Sequence, residues 1–420
     1  MKFKIIYILY FSLGMTGISA QTNTQDTWTF NEYIQHVREK NLSTKAQQYN
    51  ISMAEAAILA AEILPDPQID LESSNNGVSA DLGYTMGAGI SWTLELGKKR
   101  KARISYAKNE AEFSKLQFQD YLRNLMAEAA IRYIDAIKSK ILLDVHKDSY
   151  ENMRKLAQSD SIRHALGDIS KVSAQQSKVE ALSLLNELHQ QESTQRQNMT
   201  SLAEFTGDYS SDKIAEGNLN FLNRSFDLNE LISAALMSRT DALASQQNIS
   251  LAESLVGLEK ANRHIDLGLN IGAEHNTVAN NVVAPSPVSN AVKLGVSIPL
   301  KFSNRKNADL KIAYMKHSQA ELEYRQTENI IRIEIRNAYQ QYQSTQKQIQ
   351  QFDNGILKEA KDILEGIKYS YHRGESSILE VLNAQRTYNE LRKNYCEVLA
   401  ENATALVDLE RKSGIWDIDF

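Results

Sequence analysis

Leu82-Gly83-Tyr84-Thr85-Met86-Gly87-Ala88-Gly89-Ile90-Ser91-Trp92-Thr93-Leu94-Glu95-Leu96 is the stretch that decides the fold. Apolar side chains stand at every second position, and small or polar ones stand between them. Period two over about 15 residues is the pattern of a strand with one apolar face. The length suits a tilted strand crossing an outer membrane, which keeps about 9–11 residues in the apolar layer. The interleaved Gly, Thr, Ser and Glu suit a face toward a water-filled lumen. The competing reading is a hairpin in a soluble sheet, where alternation of this length is unusual.

Three more segments read the same way. Val292, Leu294, Val296, Ile298, Leu300 and Phe302 alternate with Lys293, Gly295, Ser297, Pro299 and Lys301. Ile265, Leu267, Leu269, Ile271 and Ala273 alternate with Asp266, Gly268, Asn270, Gly272 and Glu274, and Ile69 and Leu71 with Asp70 and Glu72. Four strands cannot close a membrane barrel, because about eight is the minimum, and open edges are not tolerated in lipid. Other copies of the chain must supply the missing strands. Three copies give twelve, although strand count alone does not choose three over two or four. The polar connections Ser73–Asp81 and Asn276–Asn290 read as exposed loops, so all helical sequence leaves the opposite strand ends, toward the periplasm.

The chain is doubled. Gln47–Glu55 aligns with Ser245–Glu253 at an offset of 198, Gly89–Leu94 with Gly295–Leu300 at 206, and His164–Asp168 with Tyr371–Glu375 at 207. The expected organisation is a first repeat over 21–210 and a second over 211–420, each a helix, two strands and a long helical hairpin. They meet near Gly207–Phe226, a loop-containing linker rich in Asp, Ser, Gly and Asn. Between Gly97 and Gly167 no Pro or Gly interrupts, and Leu122, Leu125, Met126, Ala129, Tyr133, Ile137, Ile141 and Val145 recur three and four apart. At 1.5 Å per residue, a helix of roughly 60–65 residues spans about 95 Å. The second copy runs from about Asn304 to Gly374, broken only by Gly355 and Gly366. A further helix follows each tip, near Ser170–Phe205 and Ser377–Lys412. One shorter helix opens each copy, Phe30–Ile63 and Leu228–Asn262, and these can stack end to end on the helices that follow the tips. A narrow apolar stripe on a polar surface suits helices packed side by side in water. A periplasmic coiled-coil rod would show the same stripe but no membrane strands.

At the N-terminus, Lys2 and Lys4 precede an apolar run from Ile5 to Ile18, followed by Ser19-Ala20. This reads as a secretory signal peptide over 1–20, too short to span a membrane. Its removal takes the net charge from −5 to −7, which is no nucleic-acid signature. Cys396 is the only cysteine, so no intramolecular disulfide forms. None of the eight histidines pairs with another His or Cys at metal-ligand spacing, and no phosphate-binding glycine loop is present. No resident metal, cofactor or catalytic activity is expected. The cluster Lys98-Lys99-Arg100-Lys101-Arg103, echoed by Arg305, Lys306 and Lys311, reads as cations at the headgroup level of outer-membrane lipid.

With these elements in place, the mature chain resembles the TolC-like outer-membrane factor family over its whole length. Trp92–Arg103 looks like the strand-to-helix junction of the branch associated with cobalt–zinc–cadmium and copper efflux. The resemblance implies a mainly α chain with a membrane β-barrel. In the homotrimer, four strands per chain build a twelve-stranded β-barrel, continued by a long periplasmic α-helical barrel. It implies a passive duct for heavy-metal cations or, alternatively, for drugs or other small molecules. The duct would be served by a periplasmic adaptor (membrane fusion protein) and a proton-driven inner-membrane pump of the resistance-nodulation-division type. Leu166-Gly167-Asp168 and Arg373-Gly374-Glu375 would be the two adaptor-docking tips, where a tight turn favours a glycine with positive φ. Two ordinary helix caps with no partner would look the same. Tyr371, Ser376, Glu380 and Asn383 match the family's pore constriction. Ser376 stands where some members carry Arg, and Ser173 replaces the matching acid in the first copy.

Overall fold

The computed structural model describes residues 27–75, 82–207, 213–219, 224–280, 282–283, 285–300 and 305–416. The signal-peptide segment 1–20, the end of the first strand loop, parts of the Gly207–Phe226 stretch and residues 301–304 lie outside the described residues.

The chain runs β1 (Thr27–Trp28), α1 (Phe30–Lys40), α2 (Leu42–Glu62), β2 (Gln68–Asn75), β3 (Tyr84–Leu94), α3 (Lys99–Ala165), α4 (Lys171–Thr206) and β4 (Ile214–Ala215). It continues α5 (Leu228–Ser238), α6 (Thr240–Asn262), β5 (Leu267–Asn276), β6 (Ser289–Ser297), α7 (Arg305–Gln351), α8 (Leu357–His372) and α9 (Ile378–Ser413). The four predicted strands form one antiparallel sheet in the order β2-β3-β5-β6. The alternation expected to continue to Phe302 stops as a strand at Ser297. Pro299 lacks the N–H that a further ladder bond would need.

The α3 helix runs 67 residues without a break, about 100 Å. Its counterpart is interrupted once. Between α7 and α8 lies a π-turn, Phe352–Ile356, in which Gly355 takes φ 110°. Gly366, also expected to break the helix, sits inside α8 without distorting it. The opening helices are corrected in another way, because each is two helices. Asn41 leaves helical geometry at φ −56°, ψ 125°, and its side chain accepts from the Thr44 amide to cap α2. Arg239 breaks α5 from α6 at φ −63°, ψ 129°.

The expected end-to-end stacking is present. Asn41 donates its side-chain amide to the Phe205 carbonyl at 2.9 Å, joining the start of α2 to the end of α4. Helices α2 and α4 therefore lie in succession along α3. Near the sheet the packing order is α2, α3, α6, α7, and toward the tips it is α4, α3, α9, α8. At mid-height the linker folds back. Its β4 pairs in parallel with β1, and the buried Tyr133 hydroxyl of α3 lies 2.6 and 2.7 Å from the Trp28 and Glu216 carbonyls. Phe30, Tyr33, Tyr133, Ile134 and Ile137 fill the core there. Full burial of such side chains contributes roughly 1.5–3 kcal/mol each.

Candidate functional site

The sheet is inside out by the standards of a soluble protein. On β3, Tyr84, Met86, Ile90 and Trp92 are exposed, while Thr85, Gly87, Gly89 and Ser91 are half-buried. Register extends this across all four strands. Ile69, Ile90, Ile271 and Leu294 form one row, 75, 57, 62 and 76% exposed. A continuous, uncovered apolar face calls for apolar surroundings. Among the described residues, the outer edges of β2 and β6 have no strand partner. The other face is polar. Asp70, Glu72, Glu274 and Lys293 project there, Glu72 and Glu274 flank Gly87 in register, and Lys293 pairs with Glu274.

The basic cluster after β3 is mostly structural. Lys99 is buried and pairs with Asp266 at 2.5 Å. Arg103 forks onto Glu95 at 2.7 and 3.2 Å and donates to the Ala61 and Ile63 carbonyls. Arg100 donates to the Glu62 carbonyl at 2.6 Å. These two arginines satisfy the orphan carbonyls that end α2. Lys98 and Lys101 remain exposed for the headgroup contact expected of the whole cluster.

At the opposite end both tips close alike. Gly167 (φ 87°) and Gly374 (φ 80°) sit just past α3 and α8. Asp168 donates to the Arg163 carbonyl and Gly167 to that of His164, and Glu375 and Gly374 donate to those of Ser370 and Tyr371. This paired closure relies on the left-handed residue that glycine adopts without strain. Ser170 and Ser377 then cap α4 and α9. The tips differ in chemistry. The first exposes Leu166 and Asp168. The second exposes Arg373 and Glu375, paired at 3.1 Å.

The four constriction residues separate. Glu380 and Asn383 line an open groove of about 470 Å³ between α8 and α9, walled by Ile356, Ile363, Ile367 and Leu391. Ser376 is half-buried just before α9. Tyr371 is not in that groove. It is buried in the bundle with Met153, Leu156, Val381 and Leu382, and donates to the Asp160 carboxylate at 2.9 Å. Burial, then this bond, push its hydroxyl well above the ordinary range. Asp160 was invisible in sequence, one carboxylate among many on a long helix.

A second feature escaped the sequence reading although its signal is periodic. Glu380, Asn383, Thr387, Glu390, Asn394, Glu397, Glu401, Thr404 and Asp408 follow one another in steps of three and four along α9. They form one face, exposed as far as Glu401 and without a cation of its own over that exposed length. Arg386 and Arg392 point elsewhere, to Glu180 of α4 and Asp148 of α3, and only at the far end do cations join, where Arg411 and Lys412 pair with Asp408. Among the described residues no group of three or more His, Cys, Asp or Glu is placed to hold a metal ion. The stripe offers long-range charge rather than a chelate.

Comparison with known proteins follows this geometry. Residues 231–414 match the family model described as outer membrane efflux protein. The chain is also 25% identical over 375 residues, 89% of its length and 86% of the relative's, to the cobalt-zinc-cadmium resistance protein CzcC of Cupriavidus metallidurans. Residues 231–414 therefore carry the features of an outer membrane efflux protein. Solved structures share the efflux-protein fold. The CmeC outer membrane channel of Campylobacter jejuni superposes with a TM-score of 0.76 at 15% identity, covering 98% of this chain and 93% of that one. CusC gives 0.75 at 16%, with 92% of each chain covered. The open MtrE channel of Neisseria gonorrhoeae gives 0.74 at 14%, covering 95 and 94%. The chain lies in the outer membrane and extends its helices into the periplasm. Its structural neighbours are channels, not enzymes.

Proposed function

We propose that this chain is the outer-membrane duct of a tripartite efflux system, passively conducting heavy-metal cations delivered by a periplasmic adaptor and an inner-membrane pump. The observation that carries the cargo assignment is the exposed acidic stripe of α9 from Glu380 to Glu401. It leads up from the tip, and the acids Asp70, Glu72 and Glu274 outnumber Lys293 on the polar face of the sheet. Rings of like charge along a narrow path favour the counter-ion and repel anions. The named relative, a cobalt-zinc-cadmium resistance protein, points the same way.

Free edges call for closure with further copies, and we take their number as three. The free edge of β2 on one copy meets that of β6 on the next, and twelve strands close the barrel. The helical column supports the same step. Its outer helices leave apolar side chains uncovered, Met53 and Leu59 on α2 and Leu322 and Ile333 on α7, each 60–66% exposed. We read the repeats 21–210 and 211–420 as contributing two strands and one helical hairpin each.

The stripe is the direct test. In a strain lacking the gene, the chain with Glu390, Glu397 and Glu401 changed to Gln should insert normally yet restore zinc, cobalt and cadmium resistance several-fold less well than wild type. Full restoration would refute electrostatic guidance. Apolar side chains beside Glu380 favour a second reading, a duct for small apolar compounds. Sensitivity of the deletion strain to such compounds but not to metals would select it.

Docking is tested at the tip. A Cβ at Gly374 would meet nothing within 4 Å, so Gly374→Val disturbs only the φ 80° backbone, at about 1–2 kcal/mol. Trimer yield should be unchanged and efflux lost. Retained efflux would mean that Arg373-Gly374-Glu375 is not the docking tip.

A further inference from the structure

The polar face of the sheet distributes its charges unevenly between the two free edges. The four strands β2, β3, β5 and β6 hold three acids, Asp70, Glu72 and Glu274, and a single Lys or Arg, Lys293. Asp70 and Glu72 lie on the edge strand β2, and Lys293 on the other edge strand, β6. Asp70, Gly89, Gly272 and Lys293 share one row across the sheet, so opposite charges stand at its two ends with only glycines between them. Three strand spacings separate those ends by about 14 Å. Among the described residues neither Asp70 nor Glu72 has an ion-pair partner.

Lys293 has capacity left over. It pairs with Glu274 on the adjacent strand, yet its side chain stays 60% exposed, and an ammonium group has three donors. The two edges suit one another in length, eight residues on β2 and nine on β6. Their unpaired backbone groups are a template for another strand. When they pair, a slip of one residue would turn the β2 acids toward lipid, so only registers that differ by two residues are open. In such registers a long side chain reaches the residue directly opposite and its diagonal neighbours. We propose that Lys293 is the seam residue of the oligomer: it holds Glu274 of its own copy and the acids Asp70 and Glu72 of the next copy, and so fixes the register in which β6 meets β2. This rests on the duct reading. The site is incomplete in one chain, because the cation and the uncompensated acids lie on opposite edges. Three acids still surround one lysine at each seam, so the excess of negative charge toward the lumen is kept.

The test is the amount of heat-modifiable oligomer that the full-length chain forms in the outer membrane. A Glu274→Gln background removes the pair within the copy, so that only the seam is read. In that background Lys293→Glu should lower the oligomer several-fold, because like charges replace an attraction at every seam. Adding Asp70→Lys and Glu72→Lys to the same chain should recover it, since each edge again meets its opposite. A covalent readout is independent of charge. The double variant Lys293→Cys with Glu72→Cys, treated with a thiol reagent that spans less than about 14 Å, should link one copy to the next, because that distance excludes a link within one sheet. The native Cys396 is buried and stays out of reach. Unchanged oligomer in Lys293→Glu, a loss that the β2 lysines do not recover, or the absence of any link between copies would overturn the seam. A wild-type chain that stays monomeric in the membrane would overturn the duct reading itself.

Discussion

Asp241→Ala should destabilise the assembled protein by about 3 kcal/mol, more than any single change on its helical surface. The reason is the corner at Arg239. Its side chain is 4% exposed, and its fork meets Asp241 at 2.6 and 2.9 Å, Glu334 at 2.9 Å and the Lys412 carbonyl at 2.8 Å. One guanidinium thus joins the start of α6 to α7 and to the end of α9. Removing one partner of a buried, hydrogen-bonded ion pair costs about 3–5 kcal/mol because the other charge is left uncompensated. Glu334 and the carbonyl remain, which holds Asp241→Ala near the lower bound. Asp241→Ala with Glu334→Ala should approach the upper one. Thermal unfolding of the detergent-extracted protein measures both, and a shift within error of wild type would show that the corner does not depend on its charges.

The same corner sets a pH dependence. Burial alone would raise the Asp241 carboxyl, but hydrogen bonds and charge from Arg239, with Arg123 nearby, hold it below the ordinary carboxylate range. A depressed carboxyl stabilises fully above its unfolded value and loses that contribution as pH falls through the folded one. Wild-type stability should therefore drop on acidification below about pH 4. Asp241→Ala should lose less over that range.

Why Arg239 and Asn41 were missed, while the strands were not, is a matter of which physics leaves a local trace. Period-two alternation is written residue by residue, because each side chain on β3 must choose lipid or water. The break at Arg239 is not. Ser238-Arg239-Thr240 carries no Pro or Gly, and its extended geometry is held by partners 95 and 173 residues away. Asn41 left a fainter mark, a side chain suited to capping followed by Ser and Thr, overridden by helical periodicity on both sides. Gly355 and Gly366 look alike in sequence, and only packing decides that the first turns to φ 110°. The tip glycines were legible because a helix reversal demands positive φ. The Tyr371–Asp160 contact was half legible. Tyr371 came through family likeness, but its acceptor lies 211 residues earlier and nothing around Asp160 marks it. The Lys98–Arg103 cluster was seen, but its role as a cap for α2 depends on a carbonyl end brought in by the fold.

Ile90→Lys should abolish accumulation of the oligomer in the outer membrane, whereas Ser91→Lys, one residue along, should be tolerated. In the isolated chain Ile90 is 57% exposed and touches no covering layer, and for a soluble sheet a lysine there would be harmless. In a membrane barrel the consequence reverses. Ile90 lies at the middle of β3, in the row with Ile69, Ile271 and Leu294. A lysine at the midplane of the lipid face costs about 2–4 kcal/mol per chain. A homotrimer repeats that cost in every copy, and marginal net stability leaves little to absorb it. Ser91 faces the other way, between Gln68 and Asn270 on the polar side, where a cation remains hydrated. Quantifying membrane-inserted, heat-modifiable oligomer for both variants reads the orientation of the sheet. Normal insertion of Ile90→Lys together with loss of Ser91→Lys would mean that the two faces are assigned the wrong way round. The charge side of the proposal would then fail too, because Asp70, Glu72 and Glu274 would no longer line the conducting path.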